Sequence, residues 1–152
     1  MKKRRLGIVG LLAIGLVLVL SSCGGGSSKR LTKEQFAAKA NTLCASFNNE
    51  VKKAGSPAST AQAITYFNKL LPLYKKRVDG IDKLNPPASE EANVNRIVTL
   101  EKEQVARVDA LIAAIKKNDV TQANKLVKEG NANGRKSKTL YTKLGIKECA
   151  KG

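Results

Sequence analysis

The sequence predicts an all-α fold, an antiparallel four-helix bundle with a kinked second helix. Three observations lead there. Apolar residues recur at intervals of three and four through four separate segments, the period of helices with one buried stripe. Each segment opens on a side chain suited to an N-cap, and glycine or proline stops three of them. No alternating strand pattern competes, and the connections are short enough to make consecutive helices antiparallel neighbours.

The first helix is expected over 32–54. Thr32-Lys33-Glu34-Gln35 reads as a capping box, with Leu31 and Phe36 able to staple across it. Phe36, Ala40, Leu43, Cys44, Phe47 and Val51 form its apolar stripe, and Gly55 and Pro57 supply the stop. Ser59 to Gln62 is a second box, followed by Ile64, Phe67, Leu71, Tyr74, Val78 and Ile81. Pro72 removes a backbone bond from this helix, and the unbroken stripe on both sides predicts a kink there rather than an end. Asn85-Pro86-Pro87 ends it.

Ser89 is the expected cap of the third helix, with Glu90 and Glu91 in its electropositive first turn. Val94, Ile97, Val98, Val105, Val108, Leu111, Ile112 and Ile115 make its buried face, interrupted by Glu101. An acid in that position is expected at the edge of the stripe, paired with a lysine. Asp119-Val120-Thr121-Gln122 opens the fourth helix. Its seam, Ala123, Val127, Gly130, Gly134, Ser137, Tyr141 and Leu144, holds mostly small residues. Two glycines inside a helix cost about 1 kcal/mol each relative to alanine, so they predict close backbone approach to a neighbour. A break near Gly134 is the alternative. Gly145 ends the helix, and Ile146 to Cys149 should return to the first helix.

The N-terminus carries a different kind of information. Lys2-Lys3-Arg4-Arg5 precedes an apolar run from Leu6 to Leu20, the anatomy of an export signal. That run is shorter than the roughly 20 residues that cross a bilayer as a helix. Leu20-Ser21-Ser22-Cys23 resembles the lipobox of bacterial lipoproteins. The resemblance implies a signal over 1–22, cleavage before Cys23, a diacylglyceryl thioether on Cys23, and a protein held on the extracytoplasmic face of the cell membrane. Residues 23–30 then form a glycine- and serine-rich tether, and 31–152 the helical domain. With Cys23 assigned to the anchor, Cys44 and Cys149 remain as an even pair in an oxidising compartment and are expected to form a disulfide. The alternative is two free thiols.

Chemistry is bounded mainly by what the chain lacks. Without histidine there is no Ser-His-Asp or Cys-His site and no imidazole metal ligand. No phosphate-cradling loop occurs, and no paired carboxylates face one another at a useful spacing. No enzyme activity, cofactor or metal is therefore expected. Lysine and arginine number 28 against 12 acidic residues. Lys125, Lys128, Arg135, Lys136 and Lys138 flank the small-residue seam, and Lys75-Lys76-Arg77 forms a second basic cluster. The first set is the candidate polyanion contact, and the expected partners are anionic lipid, a wall polymer or another envelope protein. Nucleic acid is disfavoured, because the chain is expected to be exported and its aromatics lie on apolar stripes rather than among the basic residues.

Three stretches, LTKEQFAAKANTLCASFNNEV, KLNPPASEEAN and YTKLGIKEC, together resemble a group of small actinobacterial-type lipoproteins to which no activity is assigned. The resemblance spans nearly all of the mature chain and implies an exported helical domain stapled from its first helix to its C-terminus. It passes on no catalytic residue. The expected role is a membrane-anchored, non-enzymatic interaction or scaffold module with a basic surface. The alternative is a carrier of a small ligand, an acyl chain among them, in a space left between helices near Pro72, Glu101, Gly130 and Gly134.

Overall fold

The computed structural model describes residues 29–151; the signal, Cys23 and the first part of the tether lie outside the described residues. Four helices are present, α1 (Lys33–Ala54), α2 (Thr60–Asp82), α3 (Glu91–Lys116) and α4 (Val120–Lys143). Short 3₁₀ turns occupy Ala88–Glu90 and Cys149–Lys151, and no strand occurs among the described residues. α3 packs against both α2 and α4, α2 packs against α1, and the C-terminal turn bridges α4 and α1. The fold is an all-α helical bundle.

The capping residues explain where the helices begin. Thr32 Oγ1 accepts from Gln35 N while Gln35 Oε1 accepts from Thr32 N, a complete box. Ser59 accepts from Gln62 N, but Gln62 reaches past it to Ala58 N at 2.8 Å. Asp119 caps α4 through Gln122 N at 2.9 Å. Ser89 does not cap α3. The chain leaves Pro87 in a 3₁₀ turn, so backbone bonds take up the first donors and Glu90 stands at the N-cap with no side-chain bond to the helix backbone. The Glu90 carboxylate accepts instead from Lys33 Nζ at 2.8 Å and Asn93 Nδ2 at 2.7 Å, tying α1 to the start of α3.

α2 runs continuously through Pro72, which lies on the exposed side, where water can replace the lost backbone bond. α4 likewise runs without a break through Gly130 and Gly134.

The tightly packed core sits toward one end of the bundle. Phe36, Ala40 and Cys44 from α1 meet Ile81 from α2, Val94, Ile97 and Val98 from α3, and Tyr141 from α4. Gly145, at φ +73°, turns the chain after α4 in a conformation that suits glycine and sends Ile146 and Cys149 back into this core. Cys44 and Cys149 form the expected disulfide, with Cα atoms 5.1 Å apart. Asn41 and Asn48 bind the returning backbone at Gly145 O, Glu148 N and Glu148 O. At the other end the apolar stripes continue, yet Phe47, Val51, Ile64, Phe67, Val105, Val108 and Leu111 are only half-buried.

Candidate functional site

The half-buried end opens into a cleft of about 580 Å³ between the helices. Each helix contributes through its own period. α2 presents Phe67, Tyr74 and Arg77; α3 presents Glu101, Gln104, Val108 and Leu111; α4 presents Gly130, Gly134, Ser137 and Tyr141. Phe47 is the contribution of α1. These positions fall three, four or seven apart, so one face of every helix meets the space.

Glu101 lies at the centre of the polar part. It is 5% exposed, and its carboxylate accepts from Tyr74 Oη at 2.7 Å and from the Arg77 guanidinium. Arg77 is buried too, its guanidinium carbon 4.3 Å from the Tyr74 ring centre and 5.0 Å from that of Phe47. Phe47 and Tyr74 stand 5.5 Å apart at a tilt, so two aromatic faces and one carboxylate enclose the cation. Arg77 Nε is buried without a hydrogen bond. Tyr141 Oη makes none of ordinary geometry either, although Glu101 is near enough to favour its protonated form. Burial first, and then the charge of Glu101, push the phenols of Tyr74 and Tyr141 well above their ordinary value, against the opposing pull of Arg77.

Cations gather around the rest of the lining. Arg107 is largely buried, donates to Gln104 Oε1 at 3.0 Å and pairs with Glu129 at 3.7 Å. Arg135 and Lys138 line the cleft from α4 and are exposed. Arg77 and Glu101 neutralise each other, so the excess charge of the lining is positive. A methyl group at Gly134 would meet nothing within 4 Å, whereas one at Gly130 would meet Gln104 Nε2 at 3.0 Å.

Several sequence expectations change here. Glu101 is a buried acid paired with an arginine, not an edge residue paired with a lysine: Tyr74 and Arg77 supply the two donors that make its burial tolerable. Gly134 marks open space rather than close approach, while Gly130 does meet a neighbour. Of the polyanion candidates, Arg135 and Lys138 converge on the cleft; Lys125, Lys128 and Lys136 are exposed and do not line it. The Lys75-Lys76-Arg77 cluster divides, since Lys75 pairs with Asp109 at 3.2 Å and Arg77 turns inward. Sequence reasoning missed Arg77, Tyr74 and Tyr141 as a polar set. The available signal was Glu101 itself, because a buried acid requires a cation, and Arg77 adjoins the stripe residue Val78.

Glu101 already accepts two donors, both phenols hold their protons, and Cys44 and Cys149 are bonded to each other. Among the described residues no cluster of acids and cysteines could hold a metal ion, and no helix is long and apolar enough to cross a membrane. Comparison of the chain with protein-family models, curated proteins and solved structures gives no match.

Proposed function

We propose that this chain is a lipid-anchored, extracytoplasmic binding module without enzymatic activity, and that the cleft between its helices is the binding element. The observation that carries the reading is the cleft itself. Its volume of about 580 Å³ falls within the usual size of a small-molecule site. Its walls combine aromatic and aliphatic side chains with as many polar ones, the latter concentrated around Glu101 and along α4. The anchor is supported by the lipobox resemblance of Leu20 to Cys23 and by the disulfide, which fits an oxidising compartment. A basic surface acting as a whole is the competing role, and Lys125, Lys128 and Lys136 are its natural contacts.

The test uses the mature chain with Cys23→Ser and the dye 8-anilinonaphthalene-1-sulfonate, an aromatic anion that fluoresces when it leaves water. Saturable binding of one dye per chain, abolished by Gly134→Phe, is expected. Gly134 lines the cleft, and a side chain added there starts from open space without a backbone clash. Dye binding unchanged in Gly134→Phe would overturn the reading. Binding of the same protein to anionic vesicles, lost in the Lys125, Lys128 and Lys136 glutamine variant, would favour the surface instead. The anchor is tested separately: cells fed labelled palmitate should label the wild-type chain and not Cys23→Ser.

A further inference from the structure

Building on the cleft reading, we infer that the ligand is an anionic amphiphile with one hydrocarbon chain, its head at the α4 cations and its tail along α1 and α2. A second, smaller space of about 280 Å³ shares Phe47, Phe67, Tyr74, Gln104 and Val108 with the main cleft, so the two adjoin along these side chains. What it adds is Val51, Tyr66, Leu70 and Leu71, all aromatic or aliphatic. The adjoining pair therefore has an oily arm and a charged arm.

The charged arm selects the sign of the head. Arg107, Arg135 and Lys138 outnumber Glu129, the acid paired with Arg107, and the Glu101 carboxylate is taken up by Tyr74 and Arg77. A cationic head would meet these side chains with no free partner. A small inorganic anion is poorly served, because Arg135 and Lys138 are exposed and flexible and Arg107 is already engaged. The fixed part of the site is its apolar wall, and only a chain can use that.

The chain's own anchor is an unsuitable occupant. Leu31 N donates to Asn85 O at 2.9 Å and Arg30 donates to Pro86 O at 3.1 Å, so the tether leaves from the closed end of the bundle. The oily arm lies toward the opposite end, beside Val51 and Tyr66.

The test is calorimetric titration of the mature Cys23→Ser chain with dodecanoate, octanoate, dodecanol and inorganic phosphate, all below micelle-forming concentrations. Dodecanoate should bind at one site, each added methylene from octanoate upward strengthening binding up to about fourfold. Dodecanol should bind about tenfold more weakly, and Arg135→Gln with Lys138→Gln should weaken dodecanoate about fivefold to tenfold without affecting dodecanol. Gly134→Phe should abolish binding of both while its circular dichroism remains that of the wild type. Equal affinity for dodecanol and dodecanoate would overturn the anionic head. Phosphate binding as tightly as dodecanoate would overturn the tail while leaving the cleft reading intact. Failure of every probe, the anilinonaphthalene dye included, would overturn the cleft reading itself.

Discussion

Replacing Glu101 with leucine should destabilise the bundle severely, and replacing Arg77 at the same time should largely undo the damage. In the wild type one carboxylate serves two donors, Tyr74 Oη at 2.7 Å and the Arg77 guanidinium, with both charged residues less than a tenth exposed. Removing the carboxylate strands a cation in the interior, which costs about 3–5 kcal/mol in buried pairs broken on one side. Two features favour the lower figure. The aromatic faces of Phe47 and Tyr74 remain against the guanidinium, and the adjoining cleft offers it a route to water. About 3 kcal/mol is therefore expected, a fall in Tm of roughly 12 °C for a domain of this size. Arg77→Met with Glu101→Leu removes both charges and fills similar volume. Made in a Tyr74→Phe background throughout, so that no phenol loses its acceptor, the double variant should lie within about 1 kcal/mol of its parent. Urea titrations of the four proteins, analysed as a double-mutant cycle with a common m value, measure the coupling directly. A cost below about 1 kcal/mol for Glu101→Leu, or a double variant as unstable as the sum of the singles, would refute the buried pair.

Other perturbations have equally definite signs. Gly134→Ala should stabilise the protein by up to about 1 kcal/mol, since the new methyl group meets nothing; Gly130→Ala should gain less, because it presses on Gln104, which holds Arg107. Equal gains at both sites in thermal unfolding would contradict the packing described. Tyr74 and Tyr141 have raised folded-state values, so the native state keeps protons that the unfolded chain loses near the ordinary phenol value of 10.0. Stability must then fall as pH rises above that value, and the two phenols should ionise only with unfolding. Ultraviolet titration of Tyr74→Phe and Tyr141→Phe against wild type reads this, and early ionisation of either phenol would exclude its burial. Reducing Cys44–Cys149 opens a connection spanning 105 residues and should cost about 4–5 kcal/mol by chain entropy. Thiol titration of the unreduced Cys23→Ser chain should find no reactive group.

How much of this was legible in the chain depends on whether the signal was local. Thr32, Ser59 and Asp119 cap their helices because a cap is decided within four residues, and all three can be read directly. Ser89 misleads because Pro87 forces a 3₁₀ turn ahead of α3, which changes which donors are left unpaired. The disulfide follows from cysteine parity once Cys23 is given another role. The site is less accessible, since it depends on which stripes actually meet. Phe36 and Phe67 both lie on the apolar stripes of their helices, yet the first is fully buried and the second faces a cleft. Periodicity identifies an inward face but not how much material the opposite helix brings to it. The same holds for Gly130 and Gly134, four residues apart on one seam, of which one touches Gln104 and the other touches nothing.

The cleft follows from the composition of α4 and from where the disulfide closes the bundle. Between Leu126 and Tyr141 the inner face of α4 offers Gly130, Asn133, Gly134 and Ser137, which bring little volume to the helices opposite. Asn133 is bonded to Glu103 at 2.8 Å and Arg107 is paired with Glu129, so α4 is held to α3 by polar contacts rather than by filling the interior. On its other side, α4 reaches α1 through the returning chain at Ile146 and Cys149, at the closed end. Two costs result at adjacent places. Apolar walls at Phe47, Phe67 and Val108 forgo packing partners, and a charged pair is desolvated beside them. A bundle selected for stability alone would place leucine at Gly134 and an apolar pair at Arg77 and Glu101. The Cys44–Cys149 bond, worth about 4–5 kcal/mol, offsets such losses while Cys149 borders the space without filling it. A covalent bond that stabilises the bundle while the interior beside it stays open is what the proposed binding role requires.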